Sequence, residues 1–302
     1  MEKRRMLIIL CIISFFPIAL ASLDFNTDYS TKHKVLEIIL RVQYTENGTI
    51  DIDNDTAFTT VYNLPGSGNE TDPYIIAGMN ISSSSANLID ISDTTKHFVI
   101  KNNLLDGLNG NFVGISLSNV INGNIGNNTI QNSKNGVELA SNSIKNYIYN
   151  NSIINNGEYG IKVQDSDENC IFNNYIHGNG NNGGGGASLN IVDTLFKIQN
   201  GAPGGGGLYL DPSTDNNITN NEIYNNSADG IYLFESNHTM IQKNNIYWNV
   251  RNGITINNSH HNIINDNNIY ENGYNSGGGG VSLAATEASL SIQNGAPGGG
   301  GL

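Results

Sequence analysis

The feature that most limits the folds open to this chain is a repeat of 23 residues. Ile125, Ile148 and Ile171 are 23 apart, as are Ile218, Ile241 and Ile264; a companion series, Ile130, Ile153 and Ile176, then Ile223, Ile246 and Ile269, keeps the same step. Within each period the letters follow an approximate template, G-[IVL]-x-[LVI]-x-x-S-x-x-N-x-I-x-x-N-x-I-x-x-N. "GIYLFESNHTMIQKNNIYWN" and "GITINNSHHNIINDNNIYEN" show it with few exceptions. Apolar residues alternate over three or four positions and are then interrupted by Asn, Ser or Gly, which indicates very short strands separated by tight turns.

Short strands at such a period imply a β-solenoid whose rungs stack about 4.8 Å apart, each strand pairing with its equivalent one period later. Residues one period apart then form columns. One column holds Asn128, Asn151, Asn174, Asn221, Asn244 and Asn267, and a second holds Asn156, Asn179, Asn226, Asn249 and Asn272. A third holds Ser143, Ser166, Ser213, Ser236 and Ser259. An inward amide can bond both the backbone and the amide of the next rung, satisfying groups that would otherwise be buried unpaired. Asn also tolerates the left-handed backbone of sharp turns. These roles account for the chain's 52 asparagines without invoking chemistry.

The template, together with the entry motif "GSGNETDPYIIAGMNI" at residues 66–81, resembles the right-handed parallel β-helix proteins of the NosD-like group. That group belongs to the wider class of carbohydrate-binding and sugar-hydrolysing β-helices. Its Asn-rich and Ile-rich versions are similar to archaeal or bacterial adhesin-like surface proteins. The resemblance covers roughly residues 64–302 and implies an all-β fold, a right-handed parallel β-helix of about 23 residues per coil. Because the matching letters are the structural ones, it fixes function far less than fold.

The expected domains are a signal peptide over 1–21, an N-terminal cap region over 22–63 and the β-helix over 64–302. Basic "MEKRR", an apolar stretch from Met6 to Leu20 and the small-residue site Ala19-Leu20-Ala21 read as a secretory signal. This stretch is shorter than the roughly 20 residues of a membrane span. The expectation is a secreted or cell-surface protein with no membrane span in its mature part. "STKHKVLEIILRVQ" places Val35, Leu36, Ile38, Ile39 and Val42 on one helical face, suited to covering the first rung.

Loss of Met1 to Ala21, which carries Glu2 against Lys3, Arg4 and Arg5, takes the formal charge from -13 to -15. Nucleic acid is thereby excluded as a partner class, since phosphate binding needs clustered Lys and Arg. Cys11 leaves with the signal and Cys170 stays alone, so the secreted form relies on its core and hydrogen bonds rather than a disulfide.

Enzymes of the β-helix class usually act on polysaccharides. The Asn-Thr-Asp, Asp-Asp and Gly-His-Gly motifs that its glycosidases would imply are absent from the repeats, and Arg251 is the sole arginine after the cap helix. Arg251 reads as a surface charge near Asp229 of the preceding rung. Asp165, Asp167 and Glu168 cluster in one turn, and Asp167 and Asp215 are 48 apart, close to two periods. Two carboxylates on one face would suit glycoside hydrolysis, but turns of an acidic protein attract Asp in any case. His238 and His261 are 23 apart, with His260 adjacent and Asp215 one rung before. The NosD resemblance associates such imidazoles with copper, yet two make an incomplete metal site, and no metal or cofactor is assigned.

The strongest non-structural feature is aromatic. Tyr224, Tyr247 and Tyr270 form one column, with Trp248 following Tyr247; Tyr209 and Tyr232 form another beside Phe234. They occupy outward positions of the template. Exposed rings at rung spacing can stack on sugars, or they can serve only to pair across strands. The leading reading is a non-catalytic β-helix that binds extracellular polysaccharide or cell-envelope glycan, or serves in adhesion, through Tyr209, Tyr224, Tyr232, Tyr247, Trp248 and Tyr270. The alternatives are a polysaccharide lyase or glycoside hydrolase, and NosD-type copper handling.

"IQNGAPGGGGL" occurs verbatim at 198–208 and 292–302. Each copy closes a stretch opened by four glycines. The 47 residues from Ile176 to Ile223 are two periods plus one, and "GASL" and "GVSL" imitate the strand. Glycine-loosened irregular coils are therefore expected at 183–207 and 277–302. The second stops where a new rung should begin, as in a fragment of a longer solenoid.

Overall fold

The computed structural model describes residues 45–180, 205–273, 280–284 and 291–294. The expected signal peptide and amphipathic helix lie outside these residues. No helix among them is long and apolar enough to cross a membrane.

The chain forms a parallel β-helix with three ladders of strands. Sheet 1 has nine strands, among them Ile115–Val120, Val137–Ala140, Tyr159–Gln164, Gly206–Asp211, Ile231–Phe234 and Ile254–Asn257. Sheet 2 includes Phe98–Lys101, Gly123–Gly126, Tyr147–Tyr149, Cys170–Phe172, Asn217–Thr219 and Met240–Gln242. Sheet 3 includes Thr129–Gln131, Ser152–Ile154, Tyr175–His177, Glu222–Tyr224 and Asn245–Tyr247. The strand Ile263–Tyr270 runs through sheets 2 and 3 and joins them. Pairing follows the period: Ile125 meets Ile148, Ile148 meets Ile171, and Ile223 meets Ile246.

The core is a set of isoleucine columns, of which Ile125, Ile148, Ile171, Ile218 and Ile241 are fully buried. Between sheets 2 and 3 the predicted Asn ladder supplies the turn. The Asn128 backbone N–H and Nδ2 both donate to Asn151 Oδ1, at 2.9 and 3.0 Å, while Nδ2 also reaches the Ile100 carbonyl at 2.9 Å. The same triple bonding recurs at Asn151 and Asn174. The second Asn column repeats it between sheets 3 and 1, and the Ser column links successive backbone N–H groups at the turn into sheet 2. A further ladder escapes the sequence columns because Thr239 interrupts it. It runs through Asn146, Asn169 and Asn216 and resumes at Asn262. The template glycine is steric: a Cβ on Gly230 would lie 2.6 Å from Ile246 Cγ2 and 2.7 Å from the Gly253 carbonyl oxygen.

Two expectations on coil boundaries change. Thr45–Asn47 and Ile50–Ile52, expected within the cap, already pair with Met79–Ser82 and Ile89–Thr94 as the first coil. A four-residue helix, Ala57–Thr60, follows, and its buried Phe58 stacks on Tyr74 at 4.6 Å. More consequentially, Ile171 pairs directly with Ile218 and Ile176 with Ile223, each 47 residues on. Adjacent, hydrogen-bonded coils leave no rung between them; of the irregular coil expected at 183–207, residues 183–204 lie outside the described residues, and Gly206 and Gly207 stand in the regular strand Gly206–Asp211. In the second copy the imitation of a strand is real: Val281–Ala284 pairs with Ile254–Asn257, and Ser291–Asn294 with sheet 2.

Candidate functional site

The aromatic columns face outward, as the alternation requires. On sheet 3 the rings of Tyr224, Tyr247 and Tyr270 stack at 4.9 and 5.0 Å, tilted by only 2° and 8°. His177 extends the stack at 4.8 Å; it occupies the same column, but its different residue type hid it from the sequence. Both faces of Tyr224 and Tyr247 are therefore occupied by neighbours. The expectation that every ring could lie against a sugar fails for these two, which offer edges and hydroxyls. Tyr247 donates to Glu222 at 2.7 Å, and the Tyr224 and Tyr175 hydroxyls are in contact.

Trp248 breaks the pattern. It meets Tyr247 edge-on at 73°, is 51% exposed and bonds Glu271 through Nε1. Its φ of +54° is left-handed, at a turn position where Asn132, Asn155 and Asn225 stand in other coils. A bulky indole there is strained, and such strain concentrates at functional positions. Its turn, between sheets 3 and 1, also carries Arg251.

On sheet 1, Tyr209 lies 5.5 Å from Tyr232, with Tyr159 stacked on it at 4.8 Å. Tyr159 sits out of phase with the template, opposite Gly206, and so was missed. These tyrosines, with Leu208, Asp229 and Arg251, line a cavity of about 220 Å³. Arg251, expected as a surface charge near Asp229, is half-buried in this lining, and Asp229 is buried; it accepts from Thr255 Oγ1 at 2.8 Å and from the Asn252 N–H at 3.0 Å. Burial raises its carboxyl above the usual range, against the opposing pull of those hydrogen bonds and Arg251. Burial, with Glu158 and Asp211 near by, pushes Tyr159 up to about 12. Tyr209 is raised as well, by burial and by donating to Asp211 at 2.9 Å. The cavity is below the ~300 Å³ where drug-sized pockets begin, a size for one ring and its substituents. Phe234 lies on sheet 1 outside this lining.

The acidic side chains of this face are engaged by protein donors. Asp167 Oδ1 accepts the Thr214 N–H at 2.6 Å, and Asp211 is engaged by Tyr209. His238 and His261 do stack, at 5.1 Å and 13°. Parallel imidazoles hold their nitrogen lone pairs in parallel planes rather than aiming them at one point. Among the described residues no three His, Cys, Asp or Glu group as metal ligands.

Solved structures of similar fold include the alginate lyase of Paenibacillus sp. str. FPU-7, at a TM-score of 0.55 and 15% identity over 84% of this chain and 97% of that one. A variant of the periplasmic alginate epimerase AlgG matches at 0.53 and 14%, over 82% of this chain and 59% of the epimerase. The Dettilon tailspike protein matches at 0.51 and 12%, over 91% of this chain and 60% of the tailspike. The chain thus spans 59% of the epimerase's length. No curated protein sequence matches it.

The model of the right-handed β-helix region matches residues 190–295, and that of the periplasmic copper-binding protein NosD matches residues 39–191, half of the chain. Among the described residues, the donor arrangement above does not fit the copper of that family description. By fold and by family match, the chain belongs to the right-handed β-helix repeat proteins of the NosD-like class.

Proposed function

We propose that this protein is an extracytoplasmic, non-catalytic polysaccharide-binding β-helix whose glycan contact is the corner between sheets 3 and 1. The observation that carries the reading is the single turn holding both Trp248, strained and exposed beside the tyrosine stack, and Arg251, in the wall of the tyrosine cavity. An indole face suits the apolar face of a sugar ring. Buried Asp229 suits its hydroxyls as a fixed acceptor, which rejects partners that leave it unpaired, and half-buried Arg251 supplies donors beside it. Tyr209, Tyr232 and Tyr159 form the cavity wall; Tyr224, Tyr247 and Tyr270 contribute hydroxyl edges and hold Trp248 in place.

Polysaccharide as the ligand class is supported by the alginate-acting enzymes among proteins of similar fold, and an extracytoplasmic address by the N-terminal signal pattern and the periplasmic family description. Tyr159 and Tyr209 are poorly suited to abstract a proton, because burial raises both above the ordinary phenol range. A tyrosine base needs the opposite shift. The test is affinity electrophoresis of the purified protein through gels containing alginate, pectin, xylan or mannan. Retardation in at least one gel, reduced in Trp248→Ala and Arg251→Ala, is expected. Equal retardation of variants and wild type would remove the corner site, and release of unsaturated uronides or reducing ends would overturn the non-catalytic reading.

A further inference from the structure

A second groove lies on a different face, over the early coils of sheet 2, and none of the aromatic residues singled out in the sequence belongs to it. Its volume is about 460 Å³, within the range of ligand sites. Its floor is built by two outward residues paired across adjacent strands, Asn124 and Tyr147. One wall is the segment Pro65–Pro73, fixed by Ser67 and Gly68 N–H bonds to the Asp72 carbonyl and by the His97 N–H bond to Gly68. The other is the ion pair of Lys145 and Glu168, at 3.6 Å on the turn into sheet 2. The backbone of the second wall is held by the Lys145 N–H bond to the Asp167 carbonyl and the Glu168 N–H bond to the Thr214 carbonyl, so both walls stand before any ligand arrives.

Tyr147 decides what the groove takes. It is 45% exposed, and no other ring stacks on it among the described residues, unlike the occupied faces of Tyr224 and Tyr247. A free phenol face amid amide, imidazole and carboxylate groups matches the alternation of apolar faces and hydroxyl rims on a sugar chain. Charge narrows the class further. Lys145 is paired with Glu168, and among the described residues no ion pair engages Glu70 on the other wall. A uronate or sulfated chain would bring like charge against Glu70, whereas a hydroxyl or an ammonium would be accepted there.

We propose that this groove is a second saccharide site, independent of the corner between sheets 3 and 1, that binds neutral or amino-bearing oligosaccharide. Two sites on different faces of one rigid solenoid would let a single molecule bridge two glycan chains.

The experiment titrates a β-1,4-glucan hexasaccharide, a chitosan hexasaccharide and a hexamannuronate into full-length Trp248→Ala protein, so that failure of the corner site does not affect the result. The glucan or chitosan oligomer should bind, and the mannuronate oligomer should bind more weakly. Tyr147→Ala should weaken binding about tenfold, ~1.4 kcal/mol, without lowering the melting temperature; Tyr147→Leu serves if the alanine variant does not fold. Glu70→Gln should weaken the chitosan oligomer and spare the glucan. Absence of binding by both oligomers, unchanged affinity in the folded Tyr147 variant, or preference for the mannuronate would each overturn the proposal.

Discussion

Gly180 and Gly205 lie against each other: a Cβ placed on Gly205 would be 2.7 Å from the Gly180 Cα. Gly180 ends one coil, its N–H bonded to the Asn156 carbonyl, and the next residue, Gly206, bonds Glu158 of that same coil. The solenoid therefore continues from residue 180 to residue 205 in space, although the chain does not. Every claim about columns downstream depends on this closure, because it sets which residues are one rung apart.

The Asn ladder should be the most sensitive interior feature. Asn174 accepts from the Asn151 N–H and Nδ2 and donates to the Ile148 carbonyl and Asn221 Oδ1. Asn174→Ala leaves buried donors and an acceptor unpaired, each costing about 1–3 kcal/mol. Denaturant unfolding should show a loss of roughly 3 kcal/mol or more. Asn150→Ala, at an exposed left-handed turn with φ +54°, should lose only about 1–2 kcal/mol, and Asn150→Gly almost nothing.

Trp248 should trade stability against binding. Trp248→Asn places at φ +54° the residue type found there in other coils. Its melting temperature should equal or exceed wild type while polysaccharide retention falls. A lower melting temperature would mean that the indole is there for packing alone.

His177 should confer acid sensitivity. Burial, partly offset by Glu222, lowers its pKa below the ordinary 6.5, so the unfolded chain takes up the proton first. Its contribution is fully present above 6.5 and is lost as pH falls from there through the folded-state value. His177→Tyr, which continues the tyrosine stack, should flatten this part of the stability profile, as read by melting temperature between neutral and mildly acidic pH.

How much was legible in the sequence follows from how each feature is encoded. Asn128 and Ser143 columns repeat one letter at one step, and the structure uses those letters as ladders. Outward placement of Tyr247 followed from alternation, but whether its faces were free did not, because stacking depends on ring orientation. Tyr159 and Tyr147 were missed since the first is out of phase and the second has Cys170, not another aromatic, one rung on. The 47-residue step was ambiguous in principle: two coils plus one residue, or one coil plus an insertion of 24, and "GASL" satisfies strand chemistry either way.

That ambiguity has a direct experimental answer. Removing residues 181–204 joins Gly180 to Gly205 and turns the Ile176 to Ile223 step from 47 into the regular 23. If adjacent coils are already paired across the gap, the shortened protein should unfold cooperatively with a melting temperature equal to or above that of the full chain. A fall of about 4 °C or more, or loss of the cooperative transition, would mean that the excised residues form a rung and that the column assignments beyond it are wrong.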